Sequence, residues 1–133
     1  MTGEIIIGFA REVEPYHLEF SLQGLPKILS NGSHSNWRVV HALKKKWKQA
    51  VRVAVANLEP KAPLTKAKLT LIRHSSKESD FDGLVISFKP IIDGLKEAGV
   101  ILDDKTSVIG QPSYSWQKAK MKQGKITVIV EEI

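Results

Sequence analysis

Apolar residues change their spacing several times along this 133-residue chain, and each change marks an element. Glu4 to Ala10 and Leu18 to Leu22 carry strand-like content, the second alternating at Leu18, Phe20 and Leu22 as a strand with one buried face requires. After the turn-rich GLPKILSNGSHSN, apolar residues recur at Trp37, Val40, Leu43, Trp47, Ala50, Val51, Ala54 and Leu58. Steps of three and four predict one long helix, capped by Ser35 or Asn36 and stopped by Pro60 and Pro63. Lys66 to Arg73 then alternates, with Ala67, Leu69 and Leu71 on one side, which predicts a half-buried strand.

Leu84, Phe88, Ile91, Ile92, Leu95 and Ala98 return to helical spacing. Pro90 interrupts them; it has no N–H and crowds the preceding turn, so the expected helix starts near Ser87 or kinks, and ends at Gly99. Lys125 to Glu131 predicts a last strand, with Ile126, Val128 and Val130 on one face, and Thr106 to Ile109 is a further candidate strand. No linker, repeat or low-complexity tract breaks this order. The expectation is a single α+β domain over residues 1–133, a mixed β-sheet packed with two main helices.

Composition adds limits. A hydrophobic content of 42% supports one core in a chain of this length. No apolar run approaches the roughly eighteen residues of a membrane span, and MTGEIIIGFA lacks the pattern of a secretory signal, so a cytoplasmic protein with no membrane partner is expected. Cysteine is absent, which removes disulfides, thiolate nucleophiles and CxxC zinc sites. His17, His34, His41 and His74 fall at no HxxxH or HExxH spacing, and there is no GxSxG elbow or Walker loop.

The charge distribution changes the picture more. The net charge is +6, and between Phe20 and Leu58 there is no acidic residue while Lys27, Arg38, Lys44, Lys45, Lys46, Lys48 and Arg52 are positive. Lys118, Lys120 and Lys122 form a second acid-free stretch. Such one-sign segments favour a polyanionic partner. Every aspartate falls between them, in DFDGLVISFKPIIDGLKEAGVILDDK, Asp80 to Lys105.

Asp80 and Asp82 are two apart after a strand, a spacing that points both carboxylates to one side if the chain is still extended. Asp103 and Asp104 lie beyond the following helix, where a returning strand would bring them to the same sheet edge. Carboxylates from two segments suit Mg²⁺ or Mn²⁺, which prefer oxygen ligands. Such an ion polarises a phosphodiester and lowers the pKa of an attacking water, so phosphodiester hydrolysis is the matching reaction. Lys89, at the border of the apolar stripe, is placed to reach a phosphate or balance the carboxylates. A structural alternative stands beside this: the aspartates as caps and turns, Asp93 as a surface partner of Lys89 or Lys96, and KKKWK as a solvated face with Trp47 turned inward.

The order DFDGL, then SFKPIIDGLKEAGVILDDKTSV, resembles the signature of the RusA family of Holliday-junction resolvases: an acidic D-x-D-N pair, a lysine followed by D-x-L, an A-G and a D-D. GLPKILSNG with the basic helix WRVVHALKKKWKQAV, and the terminal KITVIVEEI, resemble the family's N-terminal loop and helix and its last strand. The resemblance implies a homodimeric, Mg²⁺-dependent endonuclease, with Mn²⁺ able to substitute, that resolves four-way DNA junctions by paired symmetric nicks in recombination and repair. It implies Asp80, Asp82 and Asp104 as catalytic metal ligands, Asp103 as a weaker ligand candidate, and Lys89 as the essential lysine. Arg38, Lys44, Lys45, Lys48, Arg73, Lys77, Lys118 and Lys120 are the expected DNA contacts. Gly83 departs from the pattern by replacing the usual Asn, and the Asp82 to Lys89 interval is longer than in the shortest members. The alternative function is a non-catalytic or degenerate nucleic-acid-binding relative.

Overall fold

The computed structural model describes residues 6–11, 15–27 and 37–133. Five strands form one mixed sheet: β1 (Ile6–Arg11), β2 (His17–Gln23), β3 (Ala67–Ser75), β4 (Ser113–Lys118) and β5 (Lys125–Glu132), in the spatial order β1-β2-β5-β3-β4. Among these five strands only the β3/β4 pair is parallel. Helices α1 (Trp37–Val55) and α2 (Phe81–Glu97), with the short α3 (Thr106–Ile109), complete an α+β fold.

Period-2 alternation sorts the sheet's two faces. Leu18, Phe20, Leu22, Leu69, Leu71, Ile126, Val128 and Val130 point to one side and are buried with Val51 and Val55 of α1 and Phe88, Ile91 and Leu95 of α2. Ser21, Thr70, Ile72, His74, Thr127 and Ile129 occupy the other face and are half-buried. The expected strands at Leu18–Leu22, Lys66–Arg73 and Lys125–Glu131 and the helix from Trp37 all form. Of the first expected strand, Glu4 and Ile5 lie outside the described residues, as do the candidate caps Ser35 and Asn36.

Three local expectations are corrected. Helix α2 starts at Phe81 and runs through Pro90. An interior proline costs about 3 kcal/mol, but Leu84, Phe88, Ile91, Ile92 and Leu95 are all buried along α2, at roughly 1.5–3 kcal/mol each. Burial therefore outweighs the break. Asp80 and Asp82 are accordingly not an extended pair: Asp80 is the N-cap and Asp82 sits in the first turn. Thr106–Ile109 is helical because Val108 and Ile109, adjacent in sequence, are both buried, which one strand face cannot achieve; the Lys105 carbonyl accepts from both of their N–H groups.

Several strand ends meet at one end of the sheet. Gln23 and His74 both oppose Lys125, and His74 also opposes Gln117. The exits of β2, β3 and β4 and the entry of β5 thus share one edge, from which the chain turns into α2. At the opposite end Tyr16 Oη donates to the Leu58 carbonyl just past α1, while the Trp47 ring lies against Gly24. Helix α1 therefore runs counter to β2, and its basic turns before Trp47 continue toward the α2-entry end. Among the described residues no helix is long and apolar enough to cross a membrane.

Candidate functional site

The start of α2 is fixed by Asp80. Its backbone is extended (φ −68°, ψ 164°), and its Oδ1 accepts the Gly83 N–H at 2.8 Å, satisfying one of the orphan donors of the first turn. Gly83 is buried here, so its backbone N–H supplies the cap contact at this position without a side chain. Asp82 is exposed in the first turn, where the positive end of the helix dipole favours a carboxylate, and forms no ion pair among the described residues.

Asp82, Lys89 and Asp93 are seven and eleven residues apart on α2, so they fall within a roughly 40° arc of one helix face. Two turns, about 10 Å of rise, separate Asp82 from Lys89. The Lys89 Nζ donates to Asp104 Oδ2 at 2.6 Å and lies 3.2 Å from Asp93 Oδ1. Lys89 thereby joins the second acidic segment to the helix face that begins at Asp82. Its hydrogen bond holds the Asp104 carboxyl down at about 2, with help from Asp103, while Asp104 and Asp93 together raise the Lys89 ammonium above its ordinary value. Both groups are charged across the neutral range.

Asp103 does a different job. Its Oδ1 accepts the Asp104 N–H at 2.8 Å and lies 3.1 Å from Lys96 Nζ, and its Oδ2 lies 3.8 Å from Lys105 Nζ. It holds the loop that presents Asp104. Asp93 pairs with Lys89 as the structural alternative expects. Among the described residues no group of three or more potential metal ligands forms. The donor chemistry nevertheless fits a hard divalent ion: all are carboxylate oxygens, Asp80 uses only Oδ1 in its cap, and Asp104 stays ionised.

The exit of β3 supplies cations. Ser75 accepts from Trp116 Nε1 at 2.8 Å, donates to the Lys77 carbonyl at 2.7 Å and offers its own carbonyl to the Ala119 N–H at 3.0 Å. This places Lys77 and the Lys118–Lys120 segment, with all three lysines exposed, at the approach to Asp80. Lys44 and Lys45 are exposed on α1 with Trp47 turned inward, whereas Lys48 lies 3.6 Å from Glu97 and Arg38 lies over the Trp37 ring. Arg73, expected as a DNA contact, is only 8% exposed and donates to the Pro26 carbonyl at 2.7 Å; its guanidinium ties the loop after β2 to the sheet and does not join the basic surface.

Tyr114 is a site neighbour that the sequence reading misses. It faces Phe81 edge-on and Phe88 at a tilt, lies within the field of Lys89, and its hydroxyl is pushed up by burial. The signal is the alternation of SYSWQK, which puts Tyr114 and Trp116 on the helix-covered face of β4. No protein-family model matches the chain, and no curated protein matches it significantly.

Proposed function

We propose that the protein is a Mg²⁺-dependent, structure-selective endodeoxyribonuclease that nicks four-way DNA junctions, acting as a homodimer. The observation that carries this reading is the convergence on Lys89: one ammonium joins Asp104 to the α2 face that begins at Asp82, just past the Asp80 cap. Asp80, Asp82 and Asp104 would hold the ion. When bound it supplies charge stabilisation at the phosphodiester and a more acidic water. Asp80 sets the start of α2, so the first-turn carboxylate of Asp82 has a fixed direction. Lys89, charged at neutral pH, neutralises Asp104 in the absence of the ion and is a phosphate contact in its presence. Lys77, Lys118 and Lys120 line the approach and position the backbone without reading sequence. Two-fold pairing of subunits would set two such sites against symmetric strands.

A second reading is a nucleic-acid-binding protein without catalysis. It is favoured by the engagement of four aspartates in structural contacts: Asp80 in a cap, Asp93 and Asp104 with Lys89, and Asp103 with Lys96 and the Asp104 backbone. Thermal unfolding of the wild type and Asp82→Asn across a Mn²⁺ titration separates the two. Saturable stabilisation of the wild type, lost in the variant, is expected. Identical, ion-independent melting of both proteins would leave the second reading standing.

A further inference from the structure

On the far side of the β3 exit from α2, a cavity of about 390 Å³ opens on the sheet face opposite the helices, with Lys118, Lys125, His74, Ser21, Gln23 and Gly124 in its walls. Its basic side chains come from three segments. His74 is the last residue but one of β3, Lys125 opens β5 directly opposite it, and Lys118 ends β4 opposite Ser75, one register step beyond the His74 to Gln117 pair. Among the described residues, no acidic side chain lines the cavity.

Its floor is built. Ser21 and Thr127 hydroxyls lie 3.1 Å apart, and Thr127 Oγ1 lies 3.0 Å from His74 Nε2, a chain across β2, β5 and β3 that fixes the imidazole. The Gly24 N–H donates to the Gly124 carbonyl at 2.9 Å, closing the rim where β2 ends and β5 begins. Gly124 approaches Leu25 so closely that a Cβ would lie 2.6 Å from Leu25 Cδ1. Gln23 Oε1, shielded from solvent, has no partner among the described residues. A half-turn of that amide exchanges the acceptor for an Nε2 donor. Lys125, the His74 imidazole and the Gln23 amide share this face, and Lys118 borders the concavity from the end of β4, a set of groups that suits a tetrahedral oxyanion.

We propose that this cavity is a phosphate subsite of the nucleic-acid track, binding a non-scissile backbone phosphate through Lys118, Lys125 and His74. The proposal rests on the nuclease reading only for the continuity of that track. The cavity and the Asp80 cap lie on either side of the same β3 exit, with the Lys118–Lys120 segment pinned between them by Ser75. A DNA strand crossing this edge meets both.

His74 provides the readout. Burial, and then Lys125 opposite, lowers its pKa, so it is neutral at pH 7 in the free protein. Lys118, Lys125, Gln117 and Thr127 are the groups facing it from the neighbouring strands. A bound phosphate reverses the field, so the pKa rises on binding, and binding strengthens as pH falls through that range.

The test is an NMR titration of the His74 imidazole in the full-length protein, with and without a short duplex oligodeoxynucleotide in Ca²⁺, run beside a Mg²⁺ cleavage assay. The expected result is an upward His74 pKa shift of about one unit on DNA binding. It is absent in Lys118→Gln/Lys125→Gln, whose log affinity against log salt is shallower by at least about one. A silent His74 with DNA bound, or an unchanged slope in the double variant, overturns the subsite. If His74 responds while no junction is cut, the subsite stands and the nuclease reading fails; if junctions are cut while His74 stays silent, the nuclease reading stands and the subsite fails.

Discussion

Lys89 is poised between two carboxylates, 2.6 Å from Asp104 and 3.2 Å from Asp93. As partly exposed pairs these contacts stabilise the fold by no more than about 1 kcal/mol. Their pH dependence has a definite sign. Asp104 is held at about 2 against its ordinary 3.8, so its contribution is present above about pH 4 and is lost as pH falls toward 2. Urea denaturation of Asp104→Asn should therefore show a deficit of up to about 1 kcal/mol at pH 7 that vanishes near pH 2. A deficit independent of pH would locate Asp104's contribution elsewhere. Asp80 separates cap from ligand. Asp80→Asn keeps the cap and should unfold within a few tenths of a kcal/mol of wild type, while Asp80→Ala should lose about 1 kcal/mol. If Asp80 also holds the ion, both lose cleavage; cleavage retained by the Asn variant would make Asp80 a cap alone. At this scale the acidic residues are legible in the chain, but their partners are not. Nothing in the spacing of Arg73 announces a guanidinium spent on Pro26, because that contact joins segments 47 residues apart.

Elements are legible where one period runs unbroken. Strands β2, β3 and β5, and helix α1 from Trp47 onward, follow their apolar spacing closely, because each buries one face against the same core, whereas Trp37 at the start of the expected α1 stripe is exposed. Helix α2 reads short in the sequence because Pro90 is a local breaker, and a local rule gives way when the whole apolar stripe is buried. Thr106–Ile109 reads as a strand because four residues cannot distinguish a strand from one helical turn. Strand β4 is hidden although SYSWQK alternates, since its basic end reads first as part of a charged stretch. The contact between α1 and α2 offers a test of this packing. A Cβ at Gly94 would lie 2.9 Å from Val51 Cβ and 3.2 Å from Lys48 Cα, so Gly94→Ala must push the helices apart. A destabilisation of about 1–3 kcal/mol by chemical denaturation is expected, despite alanine's better helix propensity. A stabilised variant would show that the helices can part freely.

For the whole molecule, the arrangement of charge matters more than its sum. The basic turns of α1, the β3 exit and the Lys118–Lys120 segment are directed toward the end where Asp80 and Asp82 open α2. Lys48 is partly committed to Glu97, so Lys44 and Lys45 should carry most of the effect of replacing all three. The triple Gln variant should bind DNA more weakly, with a salt dependence shallower by about two; an unchanged slope would remove α1 from the DNA surface. The central claim is metal-dependent cutting of branched DNA, and its most direct measurement uses a labelled four-way junction and linear duplex of the same sequence. Each is incubated with wild type or Asp82→Asn, with and without Mg²⁺. The account predicts paired, symmetric nicks in the junction alone, only with Mg²⁺, and none from the variant, which should still bind. Salt-sensitive binding without cleavage by the wild type, or cleavage undiminished in Asp82→Asn, would contradict it.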